Sequence, residues 1–238
     1  MNYILGIIQG ISEFLPISST GHLNLAQYLF RQPVSLSLDV FLHLATLFSV
    51  LFFFRKFIKY FFDNLIYIII ASIPVAIIGF LFQDKIDNIF SDIKLLPLFF
   101  SITSIFVFST KYLNPPTGGN NTKLNIKNAL IIGLFQCIAL LPGVSRSGTT
   151  IMAGLLIGLS PLDAFNFSFA LFIPATIGAV LLGLNNFSFT PSLIPVFVLT
   201  FLTGLFALSI LKKSLLSKNF WKFSIYTFIL AIILFLYI

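Results

Sequence analysis

GIIQGISEFLPISSTG (residues 6–21) and GLFQCIALLPGVSRSG (residues 133–148) are the two stretches that decide the fold. Each begins with a short apolar run, passes through a proline and ends in a cluster of Ser, Thr and Gly. Aligned without gaps from Gly6 and Gly133, they match at five of sixteen positions. The match indicates that the chain carries an internal duplication.

A second similarity follows each of these stretches in the same order. DVFLHLATLF, which begins at Asp39, and DAFNFSFALF, which begins at Asp163, share Asp, Phe, Leu and Phe in register. We therefore predict one membrane domain, with a first half-repeat over residues 1–113, a link over residues 114–124 and a second half-repeat over residues 125–238. The link is rich in Pro, Gly and Asn, which break helices.

The composition excludes a soluble protein. Hydrophobic residues make up 58% of the 238 positions, charged residues make up 9%, and the mean hydropathy is +1.05. In soluble domains roughly a quarter of the residues are charged. A spanning helix needs about 20 apolar residues, and the alternating ten-residue segments of a membrane barrel are absent. The predicted spans are residues 36–54, 65–83, 93–113, 162–184, 192–211 and 219–238.

The two duplicated stretches are too short to cross a bilayer. Pro and Gly interrupt each one, which predicts one re-entrant hairpin within residues 3–30 and another within residues 127–158. Because three spans separate the hairpins, the second enters the membrane from the opposite face. We expect an all-α integral membrane protein, a polytopic bundle of six spanning helices with two re-entrant helical hairpins, built as an inverted-topology repeat.

The net charge of +7 reflects topology rather than a nucleic-acid partner. The basic residues are scattered between apolar runs, with ten on one face of the predicted bundle and three on the other. Lys and Arg are enriched in cytoplasmic loops. Both termini and the mouth of the first hairpin should therefore face outward.

Glu13, His22 and Arg146 are the residues that apolar packing cannot explain. A charged side chain at the bilayer centre costs at least about 2.5–3.5 kcal/mol, so an ionisable residue at that depth indicates function. The structural alternatives are an ion pair of Glu13 with Arg146 that holds the two halves together, and a His22 that is merely hydrogen-bonded.

Both hairpins have the features of a phosphate receptor where a helix is expected to begin. Backbone N–H groups at a helix start, hydroxyls and a guanidinium group bind phosphate well. Two such helix starts meeting from opposite faces suit a ligand with two phosphates. The candidate phosphate-binding residues are Ser18, Thr20, Gly21, Ser145, Arg146, Ser147, Gly148 and Thr150.

Several chemical roles fit these residues. His22 suits a nucleophile or a general acid or base, and Glu13 suits a general base, a metal ligand or the group that orients His22. His43 lies four residues after Asp39, and we interpret the two as a buried pair that stabilises the hairpin. The residues expected to hydrogen-bond the opposing loop are Gln9 and Gln136.

GIIQGISEFLPISSTGHL and GLFQCIALLPGVSRSGTTI closely resemble the two signature motifs of the undecaprenyl pyrophosphate phosphatase family, also known as bacitracin-resistance proteins. DVFLHLATLFSV and FNFSFALFIPA resemble the intervening segments. The resemblance implies an undecaprenyl-diphosphatase, which removes the terminal phosphate of the C55 lipid diphosphate and returns the monophosphate to peptidoglycan synthesis. It also implies a protein of the bacterial cytoplasmic membrane. The distribution of Lys and Arg predicts that its active site is open to the outer side.

By motif position, the resemblance implies that Glu13 is the acidic residue of the site and that Arg146 clamps phosphate. Ser19 and His22 would lie nearest the reacting phosphorus. The nucleophile would be Ser19, His22 or a water molecule activated by Glu13 and His22. The family is similar in needing a divalent cation, Mg²⁺ or Ca²⁺. Some members carry a second acid where this chain has Gln9, and some carry Glu where it has Asn166. The cation is therefore expected to bind through Glu13 and the substrate diphosphate together.

Two other functions compete with hydrolysis. Inverted repeats with broken helices are typical of transporters, so a polyprenyl-phosphate flippase is the alternative. A non-catalytic scaffold would leave both polar motifs without a role. The expected partners are the polyprenyl diphosphate substrate, membrane lipid and, as a further candidate, a second copy of the chain in a homodimer.

Overall fold

The computed structural model describes residues 1–31, 36–55, 57–82, 85–86, 89, 92–113, 122–183 and 190–238. Within them the regular structure is helical, and no strand occurs. The α-helices are α1 (Asn2–Ser12), α2 (Ser19–Leu29), α3 (Leu36–Phe53), α4 (Ile58–Asp63), α5 (Leu65–Leu81), α6 (Leu96–Ser109), α7 (Ile126–Ile138), α8 (Arg146–Leu156), α9 (Pro161–Gly183), α10 (Ile194–Leu216) and α11 (Phe223–Tyr237).

The predicted spans are confirmed as helices. In the described chain, four helical stretches are long and apolar enough to cross a membrane: Ile93–Tyr112, Pro161–Leu181, Pro191–Leu216 and Phe220–Tyr237. The other two predicted spans correspond to α3 and α5, whose apolar parts are shorter. The protein is therefore a polytopic helical membrane protein.

A pair of short helices is present at each of the two predicted hairpins. The arms α1, α2 and α8 have 11 residues each and α7 has 13, well short of a membrane span of about 20. In each hairpin the chain leaves the helix and passes a proline, Pro16 or Pro142, before the second arm begins. The polar backbone at these two tips must be covered by protein or face a cavity.

The second arms of both hairpins start with the same cap. Ser18 accepts a hydrogen bond from the backbone N–H of Gly21 at 3.4 Å, and Ser145 accepts one from Gly148 at 3.2 Å. A serine side chain at this position satisfies one of the free N–H groups at a helix start. Ser18 and Ser145 are equivalent positions of the duplication, so the similarity of sequence extends to local geometry.

The first arm of each hairpin packs against a span of the other half. A Cβ atom added to Gly6 in α1 would lie 2.7 Å from Thr200 Oγ1 in α10, and one added to Gly133 in α7 would collide with the Ala71 carbonyl oxygen in α5. Gly6 and Gly133 are equivalent in the duplication. Each half therefore holds the hairpin of the other by close backbone contact.

The hairpin tips meet through a second pair of equivalent contacts. A Cβ atom on Gly21 would lie 3.0 Å from the Cα atom of Gly143, and one on Gly148 would lie 3.2 Å from Cβ of Pro16. Pro16 and Gly143 are themselves equivalent in the duplication. This reciprocal contact agrees with the predicted inverted repeat. Residues 114–121 of the predicted link lie outside the described residues, and the half-repeat boundaries stay a prediction.

Candidate active site

Glu13 lies where α1 ends at the tip of the first hairpin and is buried, with 8% of its surface exposed. One carboxylate oxygen, Oε2, accepts hydrogen bonds from Gln9 Nε2 at 3.0 Å and from Ser19 Oγ at 2.5 Å. The other, Oε1, accepts a bond from Arg146 Nη2 at 2.8 Å. The charge that the sequence places in the membrane is thus paired across the two halves.

Arg146 is the first residue of α8, and only part of the hydrogen-bonding capacity of its guanidinium group is used. Its Cζ atom lies 4.2 Å from the ring centroid of Phe172 in a cation–π contact, and Nη2 binds Glu13. The Nη1 nitrogen is buried and has no hydrogen-bond partner. A buried donor without a partner is costly, so Nη1 is available to an anion in the same place.

A cavity of about 170 Å³ joins these groups. Residues from the starts of α2 and α8 line it, so the positive ends of two helix dipoles converge on one space. Its polar lining consists of Ser12, Glu13, Ser18, Ser19, Thr20, His43, Gln136, Ser145, Arg146 and Thr176. Its apolar lining consists of Val75, Ala139, Leu140, Val144, Ala175 and Ala179.

The amide of Gln136, at the end of α7, also faces the cavity. Both its nitrogen and its oxygen are buried and have no hydrogen-bond partner, and the Oε1 oxygen of Gln9 is in the same state. The sequence predicted that both glutamines bond to the opposing loop. Instead, Gln9 bonds to Glu13 of its own hairpin, and Gln136 offers one donor and one acceptor to a ligand.

The structure does not bring His22 to the cavity. The Nδ1–H group of His22 donates to the Ser18 carbonyl oxygen at 2.6 Å, and Nε2 accepts from the Tyr226 hydroxyl at 2.7 Å. Its ring stacks on Tyr226 and meets the edge of Phe100. Both ring nitrogens are therefore engaged. No signal in the sequence could have paired His22 with Tyr226, which lies near the other end of the chain.

His43 lies in the cavity wall instead. Its Nδ1–H group donates to the Asp39 backbone carbonyl oxygen at 2.8 Å, and Nε2 lies 3.9 Å from Glu13 Oε2. The sequence predicted a contact of His43 with the Asp39 side chain, whereas the hydrogen bond goes to the backbone. An isolated histidine in an apolar span was the only signal that this residue has a role at the site.

The remaining predicted phosphate ligands divide into two groups. Ser18, Thr20 and Ser145 line the cavity. The others hold the hairpins in place: Gly21 and Gly148 form the tip contacts, Ser147 donates to the Leu15 carbonyl oxygen at 3.4 Å, and Thr150 is hydrogen-bonded to Ser168 at 2.7 Å.

The donor set for a divalent cation is small. Among the described residues no group of three His, Cys, Asp or Glu side chains could hold a metal ion. Among the described residues Glu13 is the one carboxylate that lines the cavity, and the free amide oxygen of Gln136 adds a neutral donor. Mg²⁺ and Ca²⁺ prefer several oxygen ligands, so these residues fit a cation that also binds oxygens of a substrate.

Comparison with known proteins identifies the family of the chain. A sequence model of the family described as bacitracin resistance protein BacA matches residues 2–233. The chain is similar to proteins named undecaprenyl-diphosphatase from Thermosipho africanus (42% identical over 249 residues, 99% of each chain) and Thermotoga petrophila (39% over 241 residues, 99% of each chain). A protein of the same name from Methanococcus maripaludis is 37% identical over 242 residues, 95% of each chain. The chain therefore belongs to the family of bacitracin resistance protein BacA.

Proposed function

We propose that the protein is an undecaprenyl-diphosphatase, a hydrolase that converts the C55 isoprenoid diphosphate to the monophosphate for lipid-carrier recycling in peptidoglycan synthesis. Bacitracin resistance would accompany this activity. The observation that carries the proposal is the pairing of Glu13 with Arg146 at one cavity into which the starts of α2 and α8 project. The relatives of the chain carry the same enzyme name.

The cavity supplies donors for a diphosphate. Arg146 Nη1 and Gln136 Nε2 are buried donors without partners, and the hydroxyls of Ser18 and Thr20 line the same space. Charge-assisted hydrogen bonds from a guanidinium group are roughly twice as strong as neutral ones. Arg146 would therefore stabilise the negative charge that moves from the terminal phosphoryl group to the bridging oxygen.

Ser19 is the nucleophile that the geometry favours. Its hydroxyl donates to Glu13 Oε2 at 2.5 Å, the arrangement of a nucleophile with its general base. Attack by Ser19 Oγ on the terminal phosphorus passes the hydroxyl proton to Glu13. The bond from phosphorus to the bridging oxygen breaks, and the lipid monophosphate leaves with the electron pair of that bond.

A second step returns the enzyme to its starting state. Glu13 first passes its proton to the released lipid monophosphate. Water then attacks the phosphoserine and gives one proton to Glu13, and Glu13 passes this proton to Ser19 Oγ as the phosphorus–Oγ bond breaks and inorganic phosphate leaves. His22 acts through position in this scheme, because its bond to the Ser18 carbonyl oxygen fixes the turn that carries Ser19. Direct attack by water, with Glu13 as base, is the competing route.

A divalent cation, Mg²⁺ or Ca²⁺, would bind mainly through the diphosphate oxygens, with Glu13 and the amide oxygen of Gln136 as protein ligands. When bound, such a cation neutralises phosphate charge and polarises the bridging oxygen. The protein's own contribution is to orient the diphosphate between Ser19 and Arg146.

The proposed location is the bacterial cytoplasmic membrane, with the cavity open to the outer side. The support is the distribution of Lys and Arg in the sequence, ten on one face of the predicted bundle and three on the other. A homodimer is compatible with the broad apolar outer surface, which equally suits lipid.

Transport is the second candidate function. The observation that favours it is the reciprocal contact of the two hairpin tips, since broken helices that meet between inverted repeats form the substrate sites of transporters. A flippase moves the lipid phosphate across the bilayer without breaking a bond.

The deciding experiment is phosphate release from undecaprenyl diphosphate by the full chain in detergent. We expect release with Mg²⁺ or Ca²⁺, loss of release with chelator, and loss of release in Glu13→Gln and Arg146→Ala. Arg55→Ala is the matched control, because its guanidinium group donates to the Phe52 carbonyl oxygen at an exposed site and Arg55 does not line the cavity. A folded wild type that releases no phosphate with either cation contradicts the proposal and leaves transport as the function to measure.

A further inference from the structure

The cavity is polar on one side and apolar on the other. The apolar side includes Val75 of α5 together with Ala175 and Ala179 of α9, and neither helix contributes a charged residue to the lining. Pockets that enclose a whole ligand have volumes of roughly 300–1,000 Å³, whereas this cavity measures about 170 Å³. It holds a head group only, so a long tail attached to that head group has to leave through one wall.

Two glycines show where the wall is open. A Cβ atom on Gly178 of α9 would have no neighbour within 4 Å, and one on Gly79 of α5 would meet only Leu140 Cδ2, at 4.0 Å. Gly79 lies one helical turn beyond Val75, and Gly178 one turn beyond Ala175, so both border the apolar side of the cavity. By contrast, Gly133, which packs α7 on α5, has no space for a side chain.

A row of residues on α9 leads from the phosphate site to the protein surface. Phe172 is fully buried beneath the guanidinium group of Arg146, Ala175 is partly buried one turn later, and Ala179 is exposed one turn further on, two residues before the exposed Leu181. The spacing places Phe172, Ala175 and Ala179 along one face of the helix. The path between the charged site and the surface is therefore lined by small apolar groups.

The outer end of this path opens among side chains that suit lipid. Ile77 of α5 and Ile177 and Leu181 of α9 are 52%, 43% and 60% exposed. Both helices also contain an interior proline, Pro74 or Pro174, which removes one helix hydrogen bond near the cavity. The proposed orientation puts both glycines in the outer half of the membrane.

We propose that the seam between α5 and α9 is a lateral portal through which the polyisoprenoid tail of the substrate passes from the head-group cavity into the bilayer. The proposal rests on the proposed function for the identity of the head group. Three observations identify the tail as the occupant of the portal. The portal is continuous with the cavity, α5 and α9 contribute no charged residue to the cavity lining, and the space at Gly79 and Gly178 is unfilled.

Variants that fill the portal test the proposal by substrate selectivity. The measured quantity is the ratio of turnover on the C55 diphosphate to turnover on a soluble C5 allylic diphosphate. We expect Gly178→Leu and Gly79→Leu each to lower this ratio by about tenfold or more, which corresponds to one decade of affinity. Leu202→Phe, at a lipid-facing position of α10, is the control and should leave the ratio unchanged. Ala179→Phe replaces either variant that fails to fold. A ratio within twofold of wild type in all folded portal variants overturns the proposal.

A binding experiment separates the portal from the chemistry. A diphosphate with a C15 isoprenoid tail and a photoreactive diazirine on its last isoprene unit is bound to the full chain with chelator present, irradiated and mapped by peptide mass spectrometry. We expect labels on α5 after Pro74 and on α9 after Pro174. Labels confined to other seams, such as that between α1 and α10, contradict the portal. A wild type that labels as expected with chelator but releases no phosphate when Mg²⁺ or Ca²⁺ is supplied contradicts the proposed function alone.

Discussion

Glu13 and Arg146 belong to different halves of the repeat, and a 2.8 Å ion pair joins their side chains where the two hairpin tips meet. The pair connects the halves, as a purely structural pair would. It also leaves Arg146 Nη1 without a partner beside a cavity. A pair formed only for stability has no need of that free donor, so both roles are expected together.

The two roles can be separated by a double-mutant cycle. Removing one partner of a buried ion pair costs about 3–5 kcal/mol, because the other charge stays buried. We expect Arg146→Met to lower the thermal midpoint strongly in detergent, and Glu13→Gln combined with Arg146→Met to recover most of it. Neither variant should release phosphate. Recovery of phosphate release in the double variant would show that the pair is structural only.

Ser18 and Ser19 are adjacent, but their substitutions should have different effects. Ser18→Ala removes the cap of α2 and should cost about 1 kcal/mol of stability. It should slow turnover modestly, through the displaced hairpin and the loss of one hydroxyl at the cavity. Ser19→Ala removes the hydroxyl bonded to Glu13 and should lower phosphate release by about 10²–10⁴-fold at an unchanged thermal midpoint.

Mass spectrometry of the acid-quenched reaction should then find phosphoserine at Ser19 in the wild type. Ser209→Ala, which alters an exposed hydroxyl of α10, is the control and should keep wild-type turnover. If Ser19→Ala still turns over substrate at the wild-type rate, Ser19 is not the nucleophile and water attacks the phosphorus directly.

The elements of the fold could be predicted from the sequence because their signals are local. Apolar runs of sufficient length predicted the spans, and proline followed by hydroxyl residues predicted the hairpins and the helix starts that follow them. The cost of charge in a membrane suggested an ion pair of Glu13 with Arg146 as a structural alternative, and the structure contains that pair. Residues 114–121 of the predicted link are not among the described residues.

The positions of the two histidines could not be predicted in the same way. Whether His22 or His43 faces the cavity depends on how α2 and α3 are rotated about their axes, and helix packing across the whole bundle sets that rotation. The apolar wall from α5 and α9 likewise has no sequence signal, since its members are ordinary Val and Ala of spanning helices.

The close contact of α7 with α5 predicts a strong effect from one methyl group. Gly133→Ala places Cβ against the Ala71 carbonyl oxygen, so α7 must shift and the thermal midpoint should fall sharply. Gly178→Ala is the matched control, because its Cβ meets open space and alanine is favoured over glycine in helices by about 1 kcal/mol. A thermal midpoint that is equal in the two variants contradicts the described packing of the hairpin.

The histidines provide the last prediction. Both ring nitrogens of His22 are engaged, and one of them holds the Ser18 carbonyl. We expect His22→Phe to slow phosphate release by displacing the turn of Ser19, with the shape of the pH–rate profile unchanged. His22→Asn, which retains a short donor near that carbonyl, should recover part of the rate.

His43 should behave differently, because its Nε2 atom faces Glu13 in the cavity wall. His43→Leu places an apolar group against a buried carboxylate and should lower turnover, whereas His43→Gln keeps a polar group of similar reach and should retain more of it. Turnover with Mg²⁺ over a range of pH, measured on all four variants, compares the two residues directly. A changed profile in His22→Phe together with wild-type turnover in His43→Leu would restore His22 as the group that exchanges protons with the substrate.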